Sequence, residues 1–216
     1  MHAADLPGHG NTRVHPIDIP TTVGAIARWL TSFGKPVPLI GYSQGGRMAL
    51  LTALDHPDIV ERLVVISASP GIAGEAERAA RRARDQALAD HIEDVGSEAF
   101  LDEWLEGTIA GTGHLDEEVR RQDRGVRAAN TGAGLAAALR GLGQGTQPYV
   151  GDRLGELGMP LLTVSGSRDT VYTGVARDMA DAAPQGAHLS IDTAGHNVIL
   201  DAPRSLASTI SDFVHD

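Results

Sequence analysis

Gly41-Tyr42-Ser43-Gln44-Gly45 stands between a short apolar run, Val37-Pro38-Leu39-Ile40, and a helix-like run from Gly46 to Leu54. Strand, G-x-S-x-G, helix is the order in which this pattern marks a nucleophile elbow, a turn that exposes a serine hydroxyl at the top of a sheet. The tight turn predicts that the positions two before and two after the serine must lack bulk, which glycine satisfies. The helix N-terminus then lies beneath the hydroxyl. The bare pattern is weak, because 26 glycines and 11 serines in 216 residues give about 0.15 matches by chance. Its flanking strand and helix give it meaning.

Working outward, Thr21–Phe33 has Val23, Ile26, Ala27 and Leu30 on one face and reads as a helix. Thr21 or Thr22 is its expected cap and Gly34 its stop. The first residues read as the tail of a strand, and Pro7-Gly8-His9-Gly10 reads as a loop. Downstream, Arg62-Leu63-Val64-Val65-Ile66-Ser67 suits the interior of a parallel sheet covered on both faces. From Gly71 to about Gln147 no strand is evident. Helices are expected over Glu75–Val95 (with Ala80, Ala83, Ala87, Leu88, Ile92 and Val95 near helical spacing), Ser97–Leu105, Asp116–Ala129 and Ala133–Leu142. Strand and helix then alternate: Leu161–Ser165, Val175–Ala183, Ala187–Asp192 and Ser205–Val214. This pattern implies an α/β fold with a mainly parallel sheet. The expected organisation is a core over residues 1–70, an inserted helical lid over 71–147, and the rest of the core over 148–216.

Composition bounds the function. A length of 216 residues with 42% hydrophobic content suits one soluble globular domain. No apolar run reaches a membrane span, and the N-terminus lacks a signal-peptide pattern. The chain has no cysteine, which excludes thiol chemistry and makes a reducing cytoplasm the expected compartment. A net charge of −10 argues against nucleic acid and anionic membranes as partners, but leaves room for an anionic small molecule in a locally basic pocket. The nine histidines are scattered without ligand spacing, so no metal and no cofactor is expected. A monomer is the expected state.

A serine hydroxyl needs a histidine to take its proton and an acid to orient that histidine. On a sheet of this kind the order is serine, acid, histidine, with the last two after late strands. Asp169, in the turn Gly166-Ser167-Arg168-Asp169, and His196, after Thr193-Ala194-Gly195, fall at those places. Asp169 also suits the N-cap of the following helix, and His196 also suits a solvent-facing loop. Asp192 and Asp201 flank the last strand without such a turn.

Asp5-Leu6-Pro7-Gly8-His9-Gly10, the elbow, Gly166-Ser167-Arg168-Asp169 and Ala194-Gly195-His196 together resemble the α/β-hydrolase superfamily. More narrowly, Gly41–Arg47, Ser67–Gly71, Glu77–Arg81, Phe100–Trp104 and Gly141–Pro148 resemble the 2-succinyl-6-hydroxy-2,4-cyclohexadiene-1-carboxylate synthases of menaquinone biosynthesis. The resemblance implies an α/β-hydrolase fold and a lyase that eliminates pyruvate. Ser43, activated by His196 and Asp169, would act as a base next to a ketone, with the Gln44 N–H in the oxyanion hole. It further implies a polycarboxylate substrate held by Arg47, Arg81 and Arg127, with Trp104 and Tyr42 lining the pocket. Neighbouring arginines at 78, 82, 84, 120, 121 and 124 leave a solvated role open for Arg81 and Arg127.

The family pattern begins upstream of Met1 with a strand and a His-Gly-type turn that supplies the other oxyanion donor. The expectation is therefore an N-terminally truncated chain with an uncovered strand edge. A start placed too late is preferred to two alternatives, a genuinely shortened form and an edge covered by something else. Loss of one donor would slow it by about 10²–10³. Two rival readings stand beside the lyase: an esterase or C–C bond hydrolase on the same three residues, and a non-catalytic binding remnant.

Overall fold

The computed structural model describes residues 1–12, 14–107 and 112–215. Its elements are α1 (Ile19–Thr31), β1 (Val37–Tyr42), α2 (Gln44–Asp55), β2 (Val60–Ile66), α3 (Glu75–Glu106), α4 (Glu117–Ala128), α5 (Gly132–Leu142), β3 (Leu161–Gly166), α6 (Thr170–Ala182), β4 (Gly186–Ile191), α7 (Val198–Asp201) and α8 (Pro203–His215). Two compact units result: residues 1–22 with 72–147, and residues 23–71 with 148–216.

The second unit holds the sheet. Its four strands run in the order β1-β2-β3-β4, all parallel. Side chains alternate along each strand, so the row Gly41, Val65, Thr163 faces one way and the row Tyr42, Ile66, Val164 the other. The second row joins Val64, Leu162 and Ile191 in a core capped by Leu206, Ile210 and Phe213 of α8. On the first row's face, α2 packs on β1 and β2, and α6 packs on β3 and β4. Residues 63–66 of β2 are buried throughout because both faces are covered, which accounts for the unbroken apolar run. The expected strands and helices of this unit are present, with α7 added between the histidine loop and α8.

The elbow depends on glycine, though not at both expected positions. A Cβ on Gly41 would come within 2.3 Å of the Gly45 carbonyl oxygen, and one on Gly46 within 2.8 Å of the Ala68 Cβ. A Cβ on Gly45 would meet nothing within 4 Å. The expectation that the second motif glycine must lack bulk is therefore corrected to Gly46, whose Cα faces the preceding strand where α2 leaves the turn.

A polar seam ties β3, β4 and α6 together. Thr163 Oγ1 donates to the Ala176 carbonyl at 2.8 Å, Ser165 Oγ lies 3.0 Å from both Thr173 Oγ1 and His188 Nε2, and Thr173 Oγ1 donates to the Gly166 carbonyl at 3.1 Å. Burial holds the His188 pKa below its ordinary value, Arg177 pushes the same way, and Asp181 opposes both.

The other unit is helical. In α3 the chain breaks at Gly96 (φ 84°), so the two expected helices form one element with a kink. The buried stripe of α3 is Asp85, Ala89, Ile92, Phe100 and Leu101, while Ala80, Ala83 and Ala87 are exposed. Of the positions expected at helical spacing, Leu88, Ile92 and Val95 turn inward and the three alanines do not, because alanine carries too little apolar area to fix a helix's orientation. Ala89, Ile92 and Phe100 pack with Ala136 of α5. Residues 1–6 form no strand, contrary to expectation. The Pro7–Gly10 loop instead lies against the start of α5, so close that a Cβ on Gly8 would meet the Gly134 carbonyl oxygen at 2.5 Å. The cap of α1 is also corrected: Asp18 Oδ1 accepts the Thr21 N–H at 2.8 Å, ahead of the two threonines.

Two outcomes are expected. Gly41→Ala should lose about 2–4 kcal/mol in urea unfolding, because the obstructing atoms are backbone. Gly45→Ala, in open helical space, should be neutral or gain up to about 1 kcal/mol. Since the folded-state pKa of His188 is depressed, its contribution is fully present above about pH 6.5 and is lost as pH falls below it. Unfolding midpoints measured between pH 7.5 and 5 should fall, and His188→Gln should flatten that slope.

Candidate active site

Three loop positions at the C-terminal ends of parallel strands converge in the sheet unit. Ser43 follows β1, Asp169 follows β3, and His196 follows β4. Ser43 Oγ lies 3.4 Å from His196 Nε2, and His196 Nδ1 lies 2.7 Å from Asp169 Oδ2. The histidine and aspartate side chains are 11% and 13% exposed, so their interaction is only weakly screened. A carboxylate on Nδ1 fixes that nitrogen as the donor and leaves Nε2 as the acceptor facing the serine hydroxyl.

Each side chain is held by local structure. Asp169 does two jobs at once, with Oδ1 accepting the Tyr172 N–H at 3.1 Å as the cap of α6 while Oδ2 meets the histidine. The two roles its place in the sequence allows thus coexist. The turn before it needs Gly166, since a Cβ there would sit 2.2 Å from the Gly195 carbonyl oxygen. The histidine loop is fastened by Asp201, whose Oδ2 accepts the Gly195 N–H at 2.6 Å. Two tyrosine rings flank the imidazole, Tyr172 edge-on at 4.6 Å between centroids and Tyr42 tilted at 5.8 Å. Sequence reading gives no role to Tyr172 and considers Asp201 only as an alternative acid, not as the fastener of the histidine loop. The available signal was proximity alone: Tyr172 is three residues past the acid and Asp201 five past the histidine.

Ser43 sits at φ 50°, ψ −115°, a region that side-chain-bearing residues avoid. Its N–H donates to the Ile66 carbonyl at 2.8 Å, and its own carbonyl accepts the Arg47 N–H at 3.1 Å. These bonds at both ends hold the strained residue in place. Gln44 opens α2, so its N–H belongs to the first turn, which has no intrahelical acceptor to offer it. Arg47, one turn on, is 9% exposed.

Arg81, Trp104 and Arg127 belong to the helical unit. Arg81 Nε donates to Asp85 at 2.7 Å and its Nη1 to Gln144. Arg127 Nε donates to Asp123 at 2.8 Å. The Trp104 ring lies 5.6 Å from that of Phe100 and is 37% exposed. Each of the two arginines is thus paired with an acid one turn away on its own helix, with 36% and 29% of the side-chain surface exposed. Among the described residues no group of acids and histidines could hold a metal ion, and no helix is long and apolar enough to cross a membrane.

Residues 1–203 match the alpha/beta hydrolase fold family. The chain belongs to that family. Among its relatives, a Pectobacterium atrosepticum protein named 2-succinyl-6-hydroxy-2,4-cyclohexadiene-1-carboxylate synthase is 30% identical over 99% of this chain and 83% of its own length. A Bacillus subtilis protein provisionally given the same name is 35% identical over 82% of this chain, and the matched region spans 65% of that relative. The solved structure of MenH from S. aureus superposes with a TM-score of 0.93 at 30% identity, covering 98% of this chain and 81% of that one. An esterase from Thermogutta terrifontis superposes at 0.82 with 21% identity over 98% of this chain and 78% of its own, a likeness of hydrolase fold alone.

The strain at Ser43 gives a test of the hydrolase elbow. Ser43→Gly should raise stability by about 1 kcal/mol while removing the hydroxyl. Ser43→Ala keeps the Cβ and should not. Parallel urea titrations of the two variants check this.

Proposed function

We propose that this chain is a lyase of menaquinone biosynthesis that eliminates pyruvate from 2-succinyl-5-enolpyruvyl-6-hydroxy-3-cyclohexene-1-carboxylate. The observation that carries the reading is the hydrogen-bonded series Ser43–His196–Asp169 at the strand ends. The names of the relatives state the product, 2-succinyl-6-hydroxy-2,4-cyclohexadiene-1-carboxylate.

The chemistry follows from the substrate's connectivity. The ring carbon bearing the succinyl group carries a proton made acidic by the adjacent ketone. His196 Nε2 accepts the Ser43 proton, and Ser43 Oγ takes the ring proton. The electrons pass to the ketone oxygen as an enolate, which the Gln44 N–H stabilises. Collapse of the enolate carries electrons through the ring double bond to break the carbon–oxygen bond to enolpyruvate. The ring becomes the 2,4-diene, and the departing enol takes a proton and becomes pyruvate. No water is consumed. Stabilising the enolate is expected to lower the barrier more than any other contribution. The 3.4 Å separation of serine and histidine is within reach of this proton transfer, since catalytic hydrogen bonds are often long outside the substrate complex.

In this reading the helices between residues 72 and 147 act as the lid. Arg47, Arg81 and Arg127 meet the carboxylates, and Trp104 and Tyr42 line the pocket. Arginine suits this task because its planar donor fork matches a carboxylate. An esterase built on the same serine would instead need water and would yield an acid and an alcohol.

Pyruvate formation from the enolpyruvyl substrate, followed through a coupled dehydrogenase, tests the proposal. Ser43→Ala and His196→Ala should each lower kcat by about 10³ or more, and Asp169→Asn by about 10³–10⁴. Turnover of simple p-nitrophenyl esters without pyruvate release would favour the hydrolase instead.

A further inference from the structure

An acidic residue interrupts the apolar stripe of α3. Asp85 stands in line with Ala89 and Ile92, at i, i+4 and i+7, and its side chain is 6% exposed. A buried carboxylate requires partners, and it has two of different kinds. Oδ1 accepts the Arg81 Nε–H at 2.7 Å, and Oδ2 accepts the backbone N–H of Gly145 at 3.0 Å. Arg81 also donates from Nη1 to the side-chain oxygen of Gln144. One carboxylate therefore binds both the guanidinium and the turn whose neighbouring residue grips that guanidinium from the other side.

The glycines of Gly143-Gln144-Gly145 fit this arrangement. A Cβ on Gly145 would lie 2.2 Å from the Arg82 nitrogen, and a Cβ on Gly143 would lie 2.7 Å from Asp85 Oδ2. Arg82 Nε donates to the Gly145 carbonyl at 3.2 Å and closes the contact from the α3 side. The turn thus lies directly on the helix backbone at the level of Arg81, and only glycine allows that approach.

The Arg81 side chain keeps 36% of its surface exposed while Asp85 is enclosed. Its Nη2 makes no hydrogen bond among the described residues. The pair is thus asymmetric, a fixed buried acid and a guanidinium whose outer edge stays open. Unaided, an arginine side chain loses rotamer freedom on meeting a ligand, and here two of its nitrogens are already held.

We propose that Asp85 is a positioning residue that holds Arg81, together with the Gly143–Gly145 turn, in place to receive a substrate carboxylate. The inference rests on the reading of Arg81 as a substrate-binding residue. Asp85 acts through Arg81 and does not itself meet the substrate, whose carboxylates it would repel.

A double-mutant cycle on the full chain, with the enolpyruvyl substrate and pyruvate release as the readout, tests it. Arg81→Ala should raise KM about tenfold to a hundredfold. Asp85→Asn keeps the side-chain volume and an acceptor for the Gly145 N–H but loses the charge. It should raise KM about threefold to tenfold with kcat within about twofold of the parent. The double variant should be no worse than Arg81→Ala, because the two effects share one route. Additive effects, or kcat and kcat/KM falling together in Asp85→Asn, would overturn the positioning role in favour of a structural one. An unchanged KM in Asp85→Asn beside a raised KM in Arg81→Ala would overturn it while leaving Arg81 as a substrate ligand. An unchanged KM in Arg81→Ala would overturn the Arg81 reading itself. A second readout is independent of turnover: the Arg81 Nε–H resonance in ¹⁵N-labelled protein should be sharp and slow to exchange in the parent and lost by fast exchange in Asp85→Asn. A resonance unchanged by the substitution would also overturn the proposal.

Discussion

The backbone at Ser43 is the constraint on which the site depends. A residue with a side chain is kept at φ 50° between the Ile66 carbonyl and the first turn of α2. Of order 1–3 kcal/mol of strain has to be offset by the surroundings. The offset comes from the sheet: β1 and β2 are paired in register up to Tyr42 and Ile66, and Gly41 and Gly46 let the helix close on the strand. With the turn closed, the hydroxyl has one place to be, and the loops after β3 and β4 bring the aspartate and histidine to it along the same edge of the sheet.

The supporting groups show how that precision is distributed. Asp169 both caps α6 and orients His196, so the helix and the imidazole share one anchor. Asp201 and the Ser165–Thr173–His188 seam fix the loops beneath. In the helical unit the same device recurs, with a buried acid that sets an arginine rather than a histidine. In each case a carboxylate inside the fold orients a cationic or proton-accepting group whose other edge remains available.

The sequence was most informative where chemistry and chain order coincide. Ser43, Asp169 and His196 each followed a recognisable strand, and a parallel sheet brings strand ends to one edge. It was less informative where tertiary contact decides. Gly45 and Gly46 look alike in a string, and only the path of α2 past Ala68 makes the second one obligatory. In α3 the alanines at 80, 83 and 87 share a helical spacing with Leu88, Ile92 and Val95, but only the larger side chains decide which face is buried. Asp18 was passed over as the α1 cap because Thr21 and Thr22 compete for that role by residue type. Tyr172 carried no motif at all. Its place beside His196 is set by the first turn of α6.

In the proposed reaction Ser43 acts as a base in an elimination and not as a nucleophile in a hydrolysis. Mass analysis of the ring product formed from the enolpyruvyl substrate tests that distinction most directly. Elimination predicts that pyruvate appears together with the 2,4-diene. A ring product one water heavier, retaining a hydroxyl where enolpyruvate was attached, would contradict it.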